Sequence, residues 1–437
     1  MECMKSELDL FASLPVQTSI LHSEEVAYNP LASLEASPST IEFVSLGNGD
    51  TYRDLSATYI KFKVQMLKKD GSLWSTSDKI GTGADVKLAP QPSVVNNLLH
   101  SMIKQCTVTL NGKNITPSDS MYNYKAYITT LLNYGTDSSQ THLEASGWEL
   151  DKPNVNDSNN SGSKSRQKLY SNSAIVELMG KLHVDFFNTP KLLINNVDIR
   201  IALTLEKQDF FIFFNDTDES YLKILEATLY MKHLTINPNI LLAHNTVLEK
   251  ANAKYPYIRS EIKTFTIPAN TSNISLDNVF IGQIPNAIVF CMVSNENFNG
   301  KRSKNPYYFD HQNLTQFQLY VNGAPVPNSP IETSFSTHNF CNSRAYLTLF
   351  SGTGIHHSDK GHQISKELFT KGYTILAFDL SPDGLGTDTC QALLNQGVVK
   401  IEAKLSSPLS STLTCIVFAE FDASIEIDKN RNVYVNI

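Results

Sequence analysis

A histidine-rich segment in the C-terminal third of the chain offers donor types that divalent metals prefer. His356, His357, Asp359 and His362 lie close together, and imidazole and carboxylate groups are common zinc ligands. Successive side chains of an extended chain point in opposite directions, so His356 and His357 would not both face one ion. The spacing therefore favours a solvated loop, and no metal ligand is predicted.

Two carboxylates near the C-terminus have the spacing of a hydrolytic pair. Glu420 and Asp422 flank Phe421, so in a strand both carboxylates would project from the face opposite Phe421. Glycosidases use two carboxyl groups roughly 5–10 Å apart as acid and as base or nucleophile. The polar face of a strand end has the same pattern, and we favour that interpretation.

The common catalytic signatures are missing from the sequence. It contains no G-x-S-x-G, G-x-G-x-x-G, G-x-x-x-x-G-K or H-E-x-x-H segment. The six cysteines form no C-x-x-C pair. Cys106, Cys291 and Cys415 lie in apolar runs, where a free thiol behaves as a small hydrophobic group. The sequence therefore predicts reduced, buried thiols, no catalytic residues, no cofactor and no enzymatic activity.

Charge and hydropathy exclude further classes of protein. The 437 residues carry 36 Lys and Arg against 43 Asp and Glu, a net charge of −7, which argues against a protein that packages nucleic acid. The longest apolar run, residues 287–293, is far shorter than the roughly 20 residues of a membrane-spanning helix. The first residues are acidic where a secretory signal would be basic. Only 18% of residues are charged, below the roughly 25% of an average soluble domain, which suits a surface that partners cover.

Alternation of apolar and polar residues predicts the elements that would hold any such site. The period of two is typical of half-buried strands. It occurs in segments 60–66, 182–186, 197–205, 317–321, 399–405 and 413–421. Helical patterns are too few to connect parallel strands, so the sequence predicts an all-β chain built of sandwiches.

Two segments have the period of a helix instead. The first begins at a predicted N-cap, Ser118, and stops at Gly135. Its apolar stripe comprises Met121, Tyr124, Ile128 and Leu131. The second, residues 238–251, also spaces its apolar residues helically, and it predicts a connector between two domains.

Three pairs of segments recur in one order at offsets near 200 residues. The pairs are 106–115 with 317–326, 197–205 with 398–405, and 222–231 with 413–421. The first pair contains Asn-Gly after an alternating run, the strongest short hairpin signal. Recurrence in one order predicts two copies of one β unit, residues 41–237 and 254–437, joined by a connector helix at 238–253.

Two polar segments are predicted to lie outside these units. Residues 149–168 have almost no apolar side chains, so they are predicted to form an exposed loop. Residues 1–40 contain six acids and one basic residue and are not predicted to bind nucleic acid. Leu8, Phe11 and Leu14 share a helical stripe, so this arm is predicted either to dock on a neighbouring surface or to be disordered.

Several longer motifs together resemble one protein family. They are, in chain order, Tyr28-Asn-Pro-Leu, Thr51-Tyr-Arg-Asp-Leu within residues 41–66, Leu241-Leu-Ala-His, Lys254-Tyr-Pro, Gly282-Gln-Ile-Pro-Asn-Ala continuing to Gly300, Asn305-Pro-Tyr-Tyr-Phe-Asp, Val321-Asn-Gly-Ala-Pro-Val-Pro and Phe378-Asp-Leu-Ser-Pro-Asp. In order and spacing they resemble the double jelly-roll major capsid proteins of Polinton (Maverick) elements and adintovirus-like viruses. The resemblance runs over most of the chain, but residues 149–168 match no part of it.

The resemblance implies two tandem eight-stranded jelly-roll β-sandwiches, with a few short helices in loops and connector. It implies a homotrimer whose six sandwiches form a pseudo-hexagonal capsomer that tiles an icosahedral viral shell. The implied partners are neighbouring capsomers, penton and minor capsid proteins in the virion, after synthesis in the host nucleus or cytoplasm. Residues 67–93 and 136–170 would form an outward crown and trimer contacts, and residues 1–40 would make contacts between capsomers.

Two other functions stay open at this point. A β-sandwich carbohydrate-binding protein or glycosidase would have a pocket with convergent carboxylates and aromatic platforms. A minor shell or penton protein is commonly a single jelly roll, whereas this chain has the length and internal similarity of two. The sequence favours the major capsid protein.

Overall fold

The chain folds into antiparallel sheets connected by short helices. The structure, a computed structural model, describes residues 16–35, 38–75, 79–80, 87–88, 91–117, 119–217, 219–336, 338, 341–355, 359–381 and 394–436. The strands of the N-terminal half are β1 (Ile20–Tyr28), β2 (Thr40–Ser45), β3 (Thr51–Leu67), β4 (Lys79–Ile80), β5 (Lys87–Leu88), β6 (Ser93–Val94), β7 (Ile103–Leu110), β8 (Lys113–Asn114), β9 (Ile175–Lys181), β10 (Ile199–Leu205), β11 (Ile212–Phe213) and β12 (Tyr221–Ile236).

The C-terminal half continues with a second set of strands. They are β13 (Ala253–Ile267), β14 (Asn273–Gln283), β15 (Ala287–Ser294), β16 (Leu314–Val321), β17 (Ala324–Glu332), β18 (Ile375–Asp379), β19 (Gln396–Leu405), β20 (Leu413–Ile427) and β21 (Val433–Asn436). The α-helices are α1 (Leu98–Ser101), α2 (Tyr122–Asn133), α3 (Thr136–Ser139), α4 (Ser161–Tyr170), α5 (Gln208–Phe211), α6 (Pro238–Leu248), α7 (Asn295–Phe298), α8 (Ser343–Ser351) and α9 (Lys366–Thr370). Short 3-10 helices span His142–Ser146, Ser171–Ser173 and Asp185–Asn188.

The two halves have the same sheet topology. The first sandwich has sheets β1-β12-β3-β9 and β2-β10-β7-β8, and the second has sheets β13-β20-β15-β18 and β14-β19-β16-β17. Taken in chain order, each strand of the second sandwich occupies the sheet position of its counterpart in the first. Strand β21 adds an edge beside β20 in the second sandwich alone. The chain therefore contains two copies of one eight-stranded unit, as the recurring segments predicted.

The alternation in the sequence determines which side chains enter each core. In β3, Ile60, Phe62, Val64 and Met66 are buried while the residues between them reach the surface. The Asn-Gly turns that follow β7 and β16 both have positive φ, 46° and 78° in the first copy and 52° and 80° in the second. These values are typical of the tight hairpins that Asn-Gly favours.

Strand β20 is buried on both of its faces for most of its length. One face packs within the second sandwich, and the first sandwich covers the other. Buried side chains from both sandwiches accordingly belong to a single continuous cluster. We call the contact region between the two sandwiches the junction.

The strand predicted at residues 182–186 is wrong. Strand β9 ends at Lys181, and residues Asp185–Asn188 form a 3-10 helix. The alternate side chains of this segment are nevertheless buried, because the segment packs against the second sandwich. The Phe186 ring lies 5.8 Å from that of Tyr255 and 5.7 Å from that of Tyr257, both on β13.

Part of the predicted N-terminal arm is a strand of the first sandwich. Strand β1 pairs with β12 from Ile20 opposite Ile236 to Tyr28 opposite Leu229. Its side chains are mostly exposed on both faces, so its sequence lacks the alternation that would have predicted a strand. Residues 1–15, which include the predicted stripe of Leu8, Phe11 and Leu14, lie outside the described residues.

The two predicted helices are present with shifted ends. Helix α2 begins at Tyr122, and the predicted N-cap Ser118 lies outside the described residues. The stripe residues Tyr124, Ile128 and Leu131 are buried, as predicted. Helix α6 begins at Pro238 after Asn237, whose side-chain oxygen accepts a hydrogen bond from the Asn239 amide at 3.0 Å.

Candidate functional site

Only two of the four candidate metal ligands of the histidine-rich segment lie within the described residues. His356 and His357 lie outside them, and Asp359 is exposed. His362 is packed beside Phe350, with Nε2 3.0 Å from the Leu349 carbonyl oxygen. Burial lowers its pKa. Among the residues that the structure describes, no group of three or more His, Cys, Asp or Glu side chains is placed to hold a metal ion.

The candidate carboxylate pair lies in the middle of β20 and not at a strand end. Glu420 is opposite Ser260 of β13 and Ala287 of β15. Burial raises the pKa of Glu420 to about 7, the charge of Asp185 adds to the rise, and Lys125 opposes it. Asp422 is 9% exposed. The prediction of a strand end is therefore wrong: Glu420 is half-buried in the middle of β20, close to Asp185 and Lys125 of the first sandwich.

A cluster of aromatic rings forms one part of the junction. The ring of Tyr127, from α2, stacks on that of Tyr307 from the second half, with centroids 3.8 Å apart and planes inclined by 4°. The Tyr124 hydroxyl donates a hydrogen bond to the Pro306 carbonyl oxygen at 3.1 Å. The Tyr307 hydroxyl lies 2.8 Å from Ser101 Oγ. Buried aromatic pairs of this kind add to the stabilisation from area burial and hold a defined geometry.

A buried ion pair forms the second part of the junction. Arg166 Nη2, from α4, lies 2.6 Å from Asp151 Oδ1, and the two side chains are 2% and 0% exposed. Arg166 Nε also donates to the Val94 carbonyl oxygen at 2.8 Å. Asn305, from the second half, donates to Asp151 Oδ2 at 2.9 Å. The pair is thus surrounded by hydrogen-bonding partners, which a buried charge requires.

Residues 149–168 are therefore not the exposed loop that their composition predicted. Helix α4 lies within this segment, and Val155, Ser163 and Arg166 are buried. The Trp148 indole nitrogen donates to Gln363 Oε1 of the second half at 2.7 Å. The low number of apolar side chains predicted an exposed loop here. The segment is instead ordered by hydrogen bonds to residues distant in the chain. The assignment of residues 136–170 to an outward crown and trimer contacts stays a prediction.

Asparagine side chains extend this polar network across the junction. The Asn305 amide and the Asn297 side chain both donate to Asn156 Oδ1, at 2.9 and 3.2 Å. Asn297 Nδ2 also donates to the Asn305 carbonyl oxygen at 2.7 Å. Asn297 and Asn305 both lie in motifs that carry the family resemblance, so those two motifs were the sequence signal for this network.

Charged side chains form a third part of the junction. Lys125 Nζ lies 2.7 Å from Asp185 Oδ2. The Asp185 carboxylate accepts hydrogen bonds from the Ser260 amide at 2.8 Å and from its hydroxyl at 2.6 Å. Asp119 is close by, and burial raises its pKa. Burial also lowers the pKa of His183, beside Lys125, to about 4, so this imidazole is neutral near pH 7.

Together these contacts fix the orientation of the two sandwiches relative to each other. The chemical role of the arrangement is to stabilise that orientation. The titratable groups at the junction are packed between sheets or hydrogen-bonded across them. A hydrolytic site requires carboxylates that reach a bound substrate. Glu420 is half-buried, and the charged groups around it, Lys125 and Asp185, are already paired with each other at 2.7 Å.

Two exposed carboxylates of the second sandwich are paired with one lysine. Asp277, Lys400, Glu402 and Tyr320 line a shallow depression of about 660 Å³. Lys400 Nζ lies 3.0 Å from Asp277 Oδ1 and 2.8 Å from Glu402 Oε1. This ion pairing lowers the pKa of Glu402, so Glu402 is not tuned as a general acid near neutral pH.

Three of the predicted buried thiols are confirmed. Cys106, Cys291 and Cys415 are free and buried, and Cys341 is free and exposed. Cys3 and Cys390 lie outside the described residues. The helices in the described ranges are all too short or too polar to cross a bilayer.

In sequence, the chain is similar to one protein of unknown role. A Caenorhabditis elegans protein, uncharacterized protein F54H12.2, is 24% identical over 401 residues, which cover 90% of this chain and 93% of that protein. No family model matches the sequence.

In structure, the chain is similar to proteins of large viruses and virophages. A chain of the Sputnik virophage, determined by cryo-electron microscopy, superimposes with a TM-score of 0.67 at 13% identity over 100% of this chain and 93% of that one. The faustovirus major capsid protein superimposes at 0.56 and 11% identity over 96% and 92% of the two chains. The mavirus major capsid protein superimposes at 0.51 and 11% identity over 99% and 93%. The fold of this chain is the double jelly roll of viral major capsid proteins.

Proposed function

We propose that this chain is a major capsid protein of the Polinton (Maverick) and adintovirus-like type, with a structural and not an enzymatic role. Three chains would associate into a pseudo-hexagonal capsomer, and capsomers would tile an icosahedral shell in the virion. The observation that carries the proposal is the pair of sandwiches with identical strand order, held together by a buried junction. Three such chains supply six similar units around a three-fold axis, which a hexagonal array can accept.

The proposed partners follow from this geometry. They are two further copies of the chain, neighbouring capsomers, and penton and minor capsid proteins, met after synthesis in the host nucleus or cytoplasm. We assign residues 41–237, together with strand β1, and residues 254–437 to the two jelly rolls, 238–253 to the connector, and 1–40 to contacts between capsomers. Strand β1 supports the last assignment, because it lies at a sheet edge with most side chains exposed. Exposed edge strands are templates for pairing with other chains.

A role in binding sugars or duplex DNA is not favoured. Glu420 is half-buried at the junction beside the Lys125–Asp185 pair, and Glu402 and Asp277 both contact Lys400. The net charge of −7 opposes association with phosphate backbones.

Light scattering coupled to size-exclusion chromatography tests the proposal. The full chain is expected to elute with three times the 48.7 kDa protomer mass and to appear in negative stain as particles with a hexagonal outline and six lobes. Averaging should give three-fold and not six-fold symmetry, because alternate lobes come from different sandwiches. A monomer at micromolar concentration that sugars stabilise against heat would contradict the capsid role.

A further inference from the structure

The outer face of one sheet of the second sandwich is covered by the first sandwich. Phe421 of β20 points into the core of its own sandwich, because its ring lies 5.4 Å from that of Phe280 in the opposite sheet. Phe418, three positions earlier, therefore points outward. Phe418 and its neighbour on β15, Val289, are both buried. This outer face is thus apolar and enclosed at the junction.

The equivalent face of the first sandwich reaches the surface. Strands β12 and β3 have the positions in their sheet that β20 and β15 have in theirs. Glu226 and Lys63 are opposite each other on the outer side of this pair, because their neighbours Ala227 and Phe62 are buried in the core. Lys63 Nζ lies 2.7 Å from Glu226 Oε2, and the two side chains are 38% and 39% exposed. This face is therefore polar and accessible, whereas its counterpart is apolar and covered.

An apolar side chain lies at one end of this accessible face. Leu67, the last residue of β3, is four positions beyond Lys63 and so belongs to the same outer side. Leu67 is opposite Leu73 in a single bridge, and side chains directly opposite each other lie on one face. Leu73 is 58% exposed. The outer face of the first sandwich thus ends in an exposed leucine.

Helix α2 covers the equivalent end of the second sandwich. Tyr124, Tyr127 and Leu131 form a stripe along α2 at positions i, i+3 and i+7, and all three are buried. Tyr124 lies beside Cys291, near the end of β15. Cys291 is two positions after Val289 and faces the same way. The first sandwich therefore encloses this end of the sheet with one helical stripe.

Helix α8 is the counterpart of α2 in the second sandwich. Each is the first α-helix after the strand at the same sheet position, β8 for α2 and β17 for α8. Arg344, Leu347 and Ser351 repeat the spacing of the α2 stripe, but they are exposed, Leu347 by 59%. Ala345 and Leu349, on the other side of α8, are buried. The stripe that is covered on α2 is thus uncovered on α8.

We propose that α8 of one chain packs on the outer face of the β1-β12-β3-β9 sheet of a second copy, at the end of β3. Leu347 would cover Leu73, and the Arg344 guanidinium would lie toward the carboxylates of Glu177 and Glu226, which are on that face. The contact would repeat between copies the one that α2 makes within the chain. Repetition of one rotation joins copies head to tail and can close a ring. The inference rests on the proposed capsid role, because it requires an oligomer, and it adds the residues that join the copies.

Photocrosslinking in the full chain tests this contact. A benzoylphenylalanine in place of Leu347 is expected to give a covalent product of twice the 48.7 kDa protomer mass on irradiation. Mass spectrometry should place the crosslinks in residues 59–75 or 221–232. Light scattering on the same sample measures the oligomer independently. A trimer with crosslinks elsewhere would overturn this contact and leave the capsid role standing, whereas a monomer without the covalent product would overturn both.

Matched leucine substitutions provide a second test. Leu347→Asp and Leu73→Asp are each expected to raise the dissociation constant of the trimer about tenfold or more, because each places a charge in the contact. Leu242→Asp, at a leucine of α6 that is 68% exposed, is the control and should change it less than about twofold. Far-UV circular dichroism should be the same for all three, because each side chain is exposed in the single chain. A trimer that neither Leu347→Asp nor Leu73→Asp weakens, or equal effects of the three variants, would refute the contact.

Discussion

The burial of individual polar residues at the junction could not be predicted from amino-acid composition. Asp151 and Arg166 are charged and buried, yet each has partners that replace water. A buried ion pair adds little net stability compared with an apolar pair, but the loss of one partner leaves a charge without compensation. The stability of the junction therefore depends on keeping these side chains together.

Replacing Arg166 with Met is expected to destabilise the chain by about 3 kcal/mol or more, because Asp151 would stay buried without its cation. Urea unfolding monitored by fluorescence measures the change. Lys371→Met is the control, since its pair with Glu367 is similarly short at 2.7 Å but exposed, and should cost less than about 1 kcal/mol. Adding Asp151→Leu to Arg166→Met should recover part of the loss. Equal effects of the two single variants would contradict a stabilising role for the junction pair.

Replacing Glu420 with Gln is expected to stabilise the chain at alkaline pH and to have little effect at pH 4. The pKa of Glu420 is about 7 in the folded chain, against 4.5 for its usual value. Between those values the folded chain binds the extra proton, so the unfolding free energy of the wild type falls as pH rises through this window. The gain for the variant at pH 8 is expected to be about 1–3 kcal/mol.

Thermal unfolding of both proteins at pH values from 4 to 8 checks this expectation. His183, with its pKa near 4, gives the opposite slope below pH 6.5, but it is present in both proteins and cancels in their difference. If the difference in unfolding free energy between the two proteins did not change with pH, the pKa of Glu420 would not be raised by its position at the junction.

At the scale of elements, the two sandwiches approach each other through loops as well as sheets. Gly300, which follows α7, has a φ of 82°. A Cβ atom at this position would lie 2.9 Å from Phe210 Cα in α5 of the first half. Since the obstacle is backbone, it cannot rotate away as a side chain would. Glycine at position 300 thus permits the contact between α5 and the loop after α7.

Gly300→Ala is accordingly expected to destabilise the chain more than Gly323→Ala. Gly323 has a φ of 80° but open space around its missing Cβ, so it reports the conformational cost alone, about 1 kcal/mol. The clash at position 300 should add about 1–3 kcal/mol. Denaturant midpoints of the two variants give the comparison. Equal midpoints would mean that α5 and the loop after α7 separate without cost.

At the scale of the whole molecule, the junction packs the two copies of the β unit into a single structural unit. Its aromatic, ion-paired and charged parts connect residues more than 70 positions apart, such as Tyr127 with Tyr307 and Asp185 with Ser260. Neither sandwich can separate without exposing these groups. A fixed angle between the two sandwiches is what a tile in a regular shell requires.

The full chain is therefore expected to unfold in one calorimetric transition, although proteins of this length often show several. Scans at several protein concentrations separate the unfolding of the chain from the dissociation of an oligomer. The Arg166→Met variant should broaden or split the transition, because it weakens the coupling. Two well-separated transitions in the wild type would show that the sandwiches fold independently.

Local patterns in the sequence were sufficient to predict the β architecture. Alternation along β3, β10 and β19 determines which faces are buried, and the Asn-Gly turns at residues 111–112 and 322–323 determine two hairpins. Both signals act between neighbours in the chain, because pleating and turn geometry involve only a few residues. The repeated order of these signals was sufficient to predict two copies of one unit.

Only the tertiary structure decided which polar residues are enclosed. Arg166 and Asp151 have the residue types of a surface, and the polar composition of residues 149–168 predicts an exposed loop around them. Their environment comes from segments brought together by the packing of one sandwich on the other, as when Asn305 meets Asp151. Desolvation and hydrogen bonding depend on such distant neighbours, whereas periodicity does not. The sequence therefore specified the two units, and their packing specified the junction.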